Sequence, residues 1–416
     1  MFNAATRHEA PLDGLTVLDL TVALAGPYAT LLLAGLGATV IKLENPARGG
    51  DHARNNAPYF GSAGMRLSRA SEDDMSLAML DRGRNKLSAT LNLKSRRGRE
   101  LFGELVERAD VVVENYAAGT ADRLGIGYDF CSALNERIIY TAISGFGAAR
   151  PARKGMDTIF QALSGLMTVS GQEHDPPIRC GVPFGDMAGP LFAVIGTLAA
   201  LHHRERTGRG QFVDVSLVGA LTSMVATEPF DKLEALGVPT RTGNTLPRLA
   251  PFGIFPTADG DVAICAPSDE FSRGVFVAME QPELAADPRF ATRDARVTNW
   301  VELHALINRW SGSRTTRAVL AALEAQSVPT APVRTPGDAV RDPDRIAQRD
   351  TTPLSHPTLG PVDNLYGSGV PIRFSEAHAG YDRPAPRLGE HNEFIYGGML
   401  GRTAADLRGL TDEGAI

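Results

Sequence analysis

The stretch GVPFGDMAGP, Gly181 to Pro190, places one carboxylate, Asp186, among glycines, prolines and apolar residues. A long apolar run with a basic end, LFAVIGTLAALHHRERTGRGQ, follows directly. Two chemistries suit an aspartate there. Its oxygen can cap a helix, accepting from backbone N–H groups that have no partner within the helix. It can also act as a nucleophile, because a helix N-terminus favours the ionised carboxylate and offers N–H groups to a developing oxyanion. Gly181, Gly185, Ala188 and Gly189 are small enough to clear a path for substrate. The two roles are compatible, and capping is the commoner one for this pattern. A second set of residues is cationic. Arg84, Lys86, Lys94, Arg96, Arg97, Arg123, Arg153 and Lys154 all fall at joins between elements. Taken singly, each fits a solvated helix end. Taken together, they suit a polyanion, because loops beyond the carboxyl ends of parallel strands converge on one crevice.

The elements that must carry these residues read as alternating strands and helices. GLTVLDL (Gly14–Leu20) and TVIKLE (Thr39–Glu44) are β-rich runs, with a helix between them over Gly26–Ala38 that has Pro27 near its start. Ser95–Ala109 is amphipathic with Ser95 as its N-cap, and Asp110–Asn115 is the next strand. Arg137–Gly147 and Gly210–Leu217 are further strands, the latter after a helix stopped by basic residues and Gly208. This alternation predicts an α/β fold, a doubly wound and mostly parallel sheet with helices on both faces. Asn45–Arg84 breaks the pattern and reads as an irregular insertion, either a lid or a disordered loop. Phe252–Ala266 reads as a hairpin turning at Asp259–Gly260. Domain boundaries fall where periodicity weakens. Residues 1–224 form the N-terminal part of a large domain, 225–334 a smaller α/β domain with linkers, and 335–416 a segment returning to the large domain.

Several classes are disfavoured by what the chain contains. The first strand-to-helix join has only Gly26, so a G-x-G-x-x-G dinucleotide site is a poor fit, and neither a P-loop nor a G-x-S-x-G elbow occurs. His202 to Glu205 lacks the spacing of a zinc helix, so no metal site is expected. The 416 residues carry a net charge of −6, which argues against general nucleic-acid binding while allowing a local basic site. Three cysteines, Cys131, Cys180 and Cys265, with no C-x-x-C pair fit a reducing cytoplasm. The N-terminal stretch MFNAATRHEAPLDG lacks a secretory pattern, and the apolar run near Leu191–Leu201 is short for a bilayer. A cytoplasmic protein without a membrane segment is the expectation.

Several motifs, in order, carry a resemblance that spans nearly the whole chain. They are PLDGLTVLDLTVALAGPYATLLLAGLGATVIKLE, RGRNKLSATLNLKSRRGRELFGELVERADVVVENYAAGTADRLGIGY, GMDTIFQALSGLMTVSG, GDMAGPLFAVIGTLAALHHRERTGRGQFVDVSL and APRLGEHNEFI. In these the chain resembles the class III CoA-transferases, a superfamily that includes formyl-CoA transferase, carnitine CoA-transferase and α-methylacyl-CoA racemase. The resemblance implies a large α/β domain built from both ends of the chain, a smaller domain inserted late, and two subunits interlocked as rings. It places the catalytic aspartate at Asp186. It also implies CoA contacts near Ala23 and Leu24, at Asn45, at Leu91, Asn92 and Lys94, at Asn115, Tyr116 and Ala117, and at Arg123 and Lys154. Coenzyme A enters as a thioester substrate, with no tightly bound cofactor.

Two departures narrow the activity. The racemases have a histidine where this chain has Met156, and methionine cannot be the second base that racemisation requires. Leu24 stands where formyl-CoA transferase has a glutamine, and RTGNTLPRLAPFG lacks that enzyme's glycine run, which points away from oxalate as acceptor. The expected reaction is CoA transfer between a donor acyl-CoA, such as succinyl-CoA or another dicarboxylyl-CoA, and an acceptor carboxylate, through an aspartyl-CoA thioester on Asp186. Lys94, Arg123 and Lys154 are the candidates for the CoA phosphates. Arg241 and Arg248 are candidates to grip a distal carboxylate. The alternatives are an acyl-CoA racemase or epimerase of the same superfamily and a non-catalytic CoA-binding protein, with an NAD-dependent dehydrogenase the weakest.

Overall fold

The computed structural model describes residues 10–150, 153–246 and 248–416, so residues 1–9 of the N-terminal stretch read for targeting lie outside them. The chain divides into two compact units, one of residues 1–164, 181–227 and 340–416 and the other of 165–180 and 228–339. The first holds a six-stranded parallel sheet: β1 (Thr16–Asp19), β2 (Thr39–Glu44), β3 (Lys86–Thr90), β4 (Val111–Glu114), β5 (Ile139–Ser144) and β6 (Phe212–Ser216). Their spatial order is β3-β2-β1-β4-β5-β6. The strand order reverses between β1 and β4, and in such sheets ligands bind at that point, beyond the carboxyl ends of the strands.

The strands form here because their sequences suit burial on both faces. β3, β4 and β5 are buried at every position, and their polar residues bond within the protein, as Lys86 does to Asp19, Ser88 to Glu44 and Thr141 to Thr197. Seven helices matter to the site: α1 (Ala25–Gly35), α2 (Leu77–Arg82), α3 (Arg96–Val106), α4 (Thr120–Leu124), α5 (Tyr128–Leu134), α6 (Asp157–Leu163) and α7 (Phe184–Thr207). Ser95 caps α3 by accepting from the Gly98 N–H at 2.9 Å, and α3 buries Leu101, Phe102, Leu105 and Val106 against the sheet. The C-terminal segment packs into the same core through Ile395, Tyr396, Leu410 and Ile416. It also ties itself to the loop after β3. The Asn92 N–H donates to the Ala415 carbonyl at 2.8 Å, and Asn92 Nδ2 donates to that of Gly414 at 3.0 Å.

The insertion between β2 and β3 is built rather than irregular. Tyr59–Gly61 pairs antiparallel with Gly64–Arg66 on one side and Met75–Ser76 on the other, and α2 follows. Strands of two or three residues are too short to show a period, so the sequence pattern misses them. Polar side chains supply the order instead. Asp74 accepts from the N–H groups of Ala70 and Ser71, and Ser76 Oγ accepts from the Met79 N–H to start α2.

Under the β1–α1 loop lies a buried, charge-balanced cluster of three carboxylates and three cations. Asp19 meets Lys86 at 3.0 Å, Asp51 meets Lys42 at 3.0 Å, and Glu44 takes Arg54 in two hydrogen bonds of 2.7 and 2.6 Å. Burial raises the Asp19 carboxyl, yet Lys86 and Lys42 overcome this and hold it down to about 2. The cluster shapes the loop. Asp51 accepts from the N–H of Ala23 at 3.0 Å, and Ala23 sits at φ +68°, a left-handed conformation costing a non-glycine residue roughly 1–2 kcal/mol. Lys42→Met strands Asp51 without a balancing charge, while Asp19 keeps Lys86. It is expected to cost about 3–5 kcal/mol of stability, read by denaturant unfolding.

The second unit has its own core, with Phe255, Ile264, Phe276, Ile307 and Leu323 among its members. Its sheet orders Phe252–Pro256, Asp261–Cys265 and Thr330–Pro332 antiparallel, and the first two form the hairpin predicted at Asp259–Gly260.

Candidate active site

A cavity of about 560 Å³ opens at the switch point of the sheet, a size within the range that holds small-molecule ligands. Its wall is made where strands end. Leu20, Thr21 and Val22 follow β1, Glu44 and Asn45 close β2, Leu91 and Lys94 follow β3, and Tyr116 follows β4. Four of the expected CoA contacts, Asn45, Leu91, Lys94 and Tyr116, thus line one cavity though widely spaced in sequence. Arg48 lines it too, an exposed cation missed in the sequence because it sits inside the apparently irregular insertion.

The other expected contacts hold the walls or flank them. Asn115 locks the β1–α1 loop, accepting from the Val22 N–H and donating to the Val22 carbonyl, both at 2.8 Å. The loop passes so close that a Cβ on Gly26 would fall 2.4 Å from Thr21 and 2.9 Å from Asn115, which explains the lone glycine there. Asn92 is committed to the C-terminal segment and to the Lys94 N–H. Ala23 and Leu24 form the half-buried turn into α1, while Ala117, Arg123 and Lys154 are exposed. Arg123 donates to Thr120 at 2.8 Å.

The cation set resolves into two kinds. Arg84 and Lys86 are buried and already paired, Arg84 with Asp81 and Lys86 with Asp19, so neither is available to a ligand. Arg96 and Arg97 pair with Glu100 along α3, and Arg153 lies over the Phe146 ring. Lys94 remains exposed at the cavity mouth. Lys94→Ala is expected to raise KM for an acyl-CoA about tenfold with kcat little changed, the cost of one charge-assisted bond to phosphate. Steady-state kinetics would check it.

Asp186 does not cap its helix. α7 starts at Phe184 with Pro183 at the N-cap position, which puts Asp186 in the first turn. The capping oxygen comes from elsewhere in the chain. Asp157, at the start of α6, accepts from the N–H groups of Gly185 at 2.7 Å and Asp186 at 3.3 Å. Its second oxygen accepts from Gln161 Nε2 at 2.6 Å, and Gln161 also donates to the Val182 carbonyl. The N–H of Met187 is bonded to the Pro183 carbonyl. The expected oxyanion donors of residues 185–187 are therefore occupied. The small residues also have a different task. Gly185, Ala188 and Gly189 are buried, and a Cβ on Gly189 would come within 2.2 Å of Leu217, so they let α7 sink against Leu217–Val225.

Electrostatics tune Asp186. Burial raises its carboxyl, the negative Asp157 adds to that, and Arg82 opposes both, leaving it pushed up to about 6. A more basic carboxylate that is still mostly ionised at neutral pH makes a better nucleophile. Asp186 does not itself line the 560 Å³ cavity. The connection runs through α1, which begins at the crevice and packs along α7. Met156 is exposed at the start of α6. Arg248 pairs with Glu228 at 2.7 Å, and Arg241 donates to the carbonyls of Thr168 and Asp175, so both arginines are engaged within the second unit.

α7 runs 24 residues and is long and apolar enough to cross a membrane, beyond what its apolar centre alone indicated. It is packed against β5, β6 and α1, with Arg204 in its last turn paired to Asp110 at 3.0 Å, as in a core helix.

The parallel sheet thus carries a cavity at its switch point, and Asp186, its carboxyl raised, sits in the first turn of α7. The profile described as CoA-transferase family III matches residues 12–392. The chain is 38% identical over 386 residues to a succinyl-CoA:mesaconate CoA-transferase of Haloarcula marismortui, covering 91% of this chain and 94% of that one. It is 36% identical over 408 residues to a succinyl-CoA–D-citramalate CoA-transferase of Chloroflexus aurantiacus, covering 97% and 98%. The crystal structure of a CAIB/BAIF family protein from Brucella suis superposes with a TM-score of 0.80 at 33% identity, covering 94% of this chain and all of the other. The chain belongs to CoA-transferase family III. It is an enzyme of acyl-CoA:carboxylate CoA transfer.

Proposed function

We propose that the enzyme transfers CoA from succinyl-CoA or a similar dicarboxylyl-CoA to an acceptor carboxylate through an aspartyl-CoA thioester on Asp186. A carboxylate oxygen of Asp186 attacks the thioester carbonyl, the C–S bond breaks, and CoA leaves as thiolate from a mixed anhydride. The thiolate attacks the Asp186 carbonyl carbon, releasing the donor acid as its carboxylate and leaving aspartyl-CoA. The acceptor carboxylate then attacks that thioester, freeing thiolate again, and the thiolate takes the acyl group from the second anhydride. Asp186 ends as carboxylate, no proton is gained or lost, and the activated acyl bond is kept throughout. Contacts to CoA remote from the carbonyl hold the thioester for attack. Lys94, Arg123 and Lys154, with Arg48, are the cations proposed for its phosphates.

The observation that carries this reading is the carboxylate of Asp186, raised to about 6 by burial and Asp157 in the first turn of α7. Dicarboxylyl donors are supported by the succinyl-CoA named in both relatives above. Incubation with succinyl-CoA followed by hydroxylamine should convert Asp186 to its hydroxamate, found by peptide mass spectrometry. An unmodified Asp186 under turnover would defeat the covalent route. We also propose an interlocked homodimer in the cytoplasm. Leu191, Phe192 and Ile195 present an apolar stripe on α7, with Ile195 62% exposed, which a second copy would cover. A solution mass of a single 44.3 kDa chain would remove the dimer.

A further inference from the structure

Arg82 closes α2, within the insertion between β2 and β3. Its Nε is shielded from solvent and has no hydrogen-bond partner, and its guanidinium makes no ion pair among the described residues. That is unusual for a half-buried arginine, whose charge normally finds a carboxylate. Two of the three carboxylates around it, Asp81 and Asp51, are already engaged, and Asp186 makes no ion pair with it among the described residues. Asp81 accepts from Arg84 and from the Ser368 N–H, and Asp51 serves Lys42, Ala23 and Ala53. Its position is also telling. α2 packs on one side against His52–Asn55, next to the cavity-lining Asp51, and on the other against α1, which leads to α7. Arg82 accordingly feels the charges of both Asp51 and Asp186.

We propose that Arg82 selects acyl groups that end in a second carboxylate, binding it through the guanidinium fork. This rests on the attack by Asp186 proposed above. It gives the distal-carboxylate role to Arg82 rather than to Arg241 and Arg248, which are engaged in the second unit. A guanidinium offers paired N–H donors to one carboxylate, whereas a methyl group at the same place leaves that charge unmatched.

The test compares succinyl-CoA with butyryl-CoA, which replaces the distal carboxylate by a methyl group at equal chain length. Both are assayed at pH 8, well above the value of about 6 to which the Asp186 carboxyl is raised in the wild type. The wild type is expected to prefer succinyl-CoA in kcat/KM, and Arg82→Leu to reduce that preference about 30-fold through the KM for succinyl-CoA, over and above any change common to both thioesters from a retuned Asp186. Arg82→Lys, which keeps the charge and loses the fork, should fall between and serves if the leucine variant does not fold. An equal loss on both thioesters, or an unchanged ratio in both variants, overturns the proposal. Hydroxylamine trapping of the wild type runs in parallel. An unlabelled Asp186 there defeats the covalent route, while the selectivity ratio still judges Arg82 by itself.

Discussion

Asp186→Ala is expected to lower CoA transfer about 10⁴-fold or more and to abolish hydroxylamine labelling, because the proposed covalent route begins at its carboxylate. The isosteric Asp186→Asn should be equally inactive yet more stable at neutral pH. The sign follows from the raised carboxyl. The folded protein binds this proton more tightly than the unfolded chain does, so the associated stability is complete below the unfolded value near 4 and is lost as pH rises through about 6. At pH 8 the wild type therefore carries the full penalty of an ionised, partly desolvated group. A shift of this size corresponds to about 3 kcal/mol, and discounting for the exposed third of the group leaves about 1–2 kcal/mol. Thermal melts of the two proteins should differ at pH 8 and converge towards pH 4. The same group sets the acid limb of the wild type. kcat/KM should fall about tenfold per pH unit below 6, since only the ionised carboxylate attacks. A stability difference that persists at pH 4 would show that the carboxyl is not the cause.

Asp157 gives the second large effect, and two substitutions divide its roles. Asp157→Asn keeps an oxygen for the Gly185 and Asp186 N–H groups but removes the negative charge that raises Asp186. The acid limb of kcat/KM should move to lower pH, with a modest loss of rate at pH 8 from a less basic nucleophile. Asp157→Ala removes the cap as well. It should cost about 1–2 kcal/mol of stability and about 100-fold in kcat as the first turn of α7 loosens, with the KM for acyl-CoA largely kept. A pH profile unmoved by Asp157→Asn would mean that burial alone tunes Asp186.

Both residues illustrate what a sequence reveals and what it conceals. β2 was legible to the residue, Thr39–Glu44, because it opens on the β-branched Thr39, Val40 and Ile41 right after a helix and ends just before Pro46. Asp186 was legible as a functional candidate, and its helix as a helix. The identity of the cap was not. Asp157 precedes Gly185 by 28 positions and acts across space, so no local spacing announces it. Arg84 and Lys86 failed as ligand cations for a related reason. Composition counts charges, but only the fold shows which carboxylates neutralise them. The insertion before β3 was opaque because its order rests on single side-chain bonds, such as those of Asp74, rather than on a hydrophobic period.

The bonds from Asn92 to residues 414 and 415 have a consequence for how the protein comes into being. Lys94 sits two residues beyond Asn92, on the rim of the cavity. During synthesis this rim lacks its anchor until some 320 further residues have emerged, which at ordinary ribosomal rates takes between about 15 and 65 s. The second unit, complete by residue 339, has all its own segments before then. The nascent chain thus holds every segment of the second unit while the cavity rim at Lys94 still lacks its anchor. The rim of the cavity is completed late, by residues 414 and 415 rather than by the strands that line it.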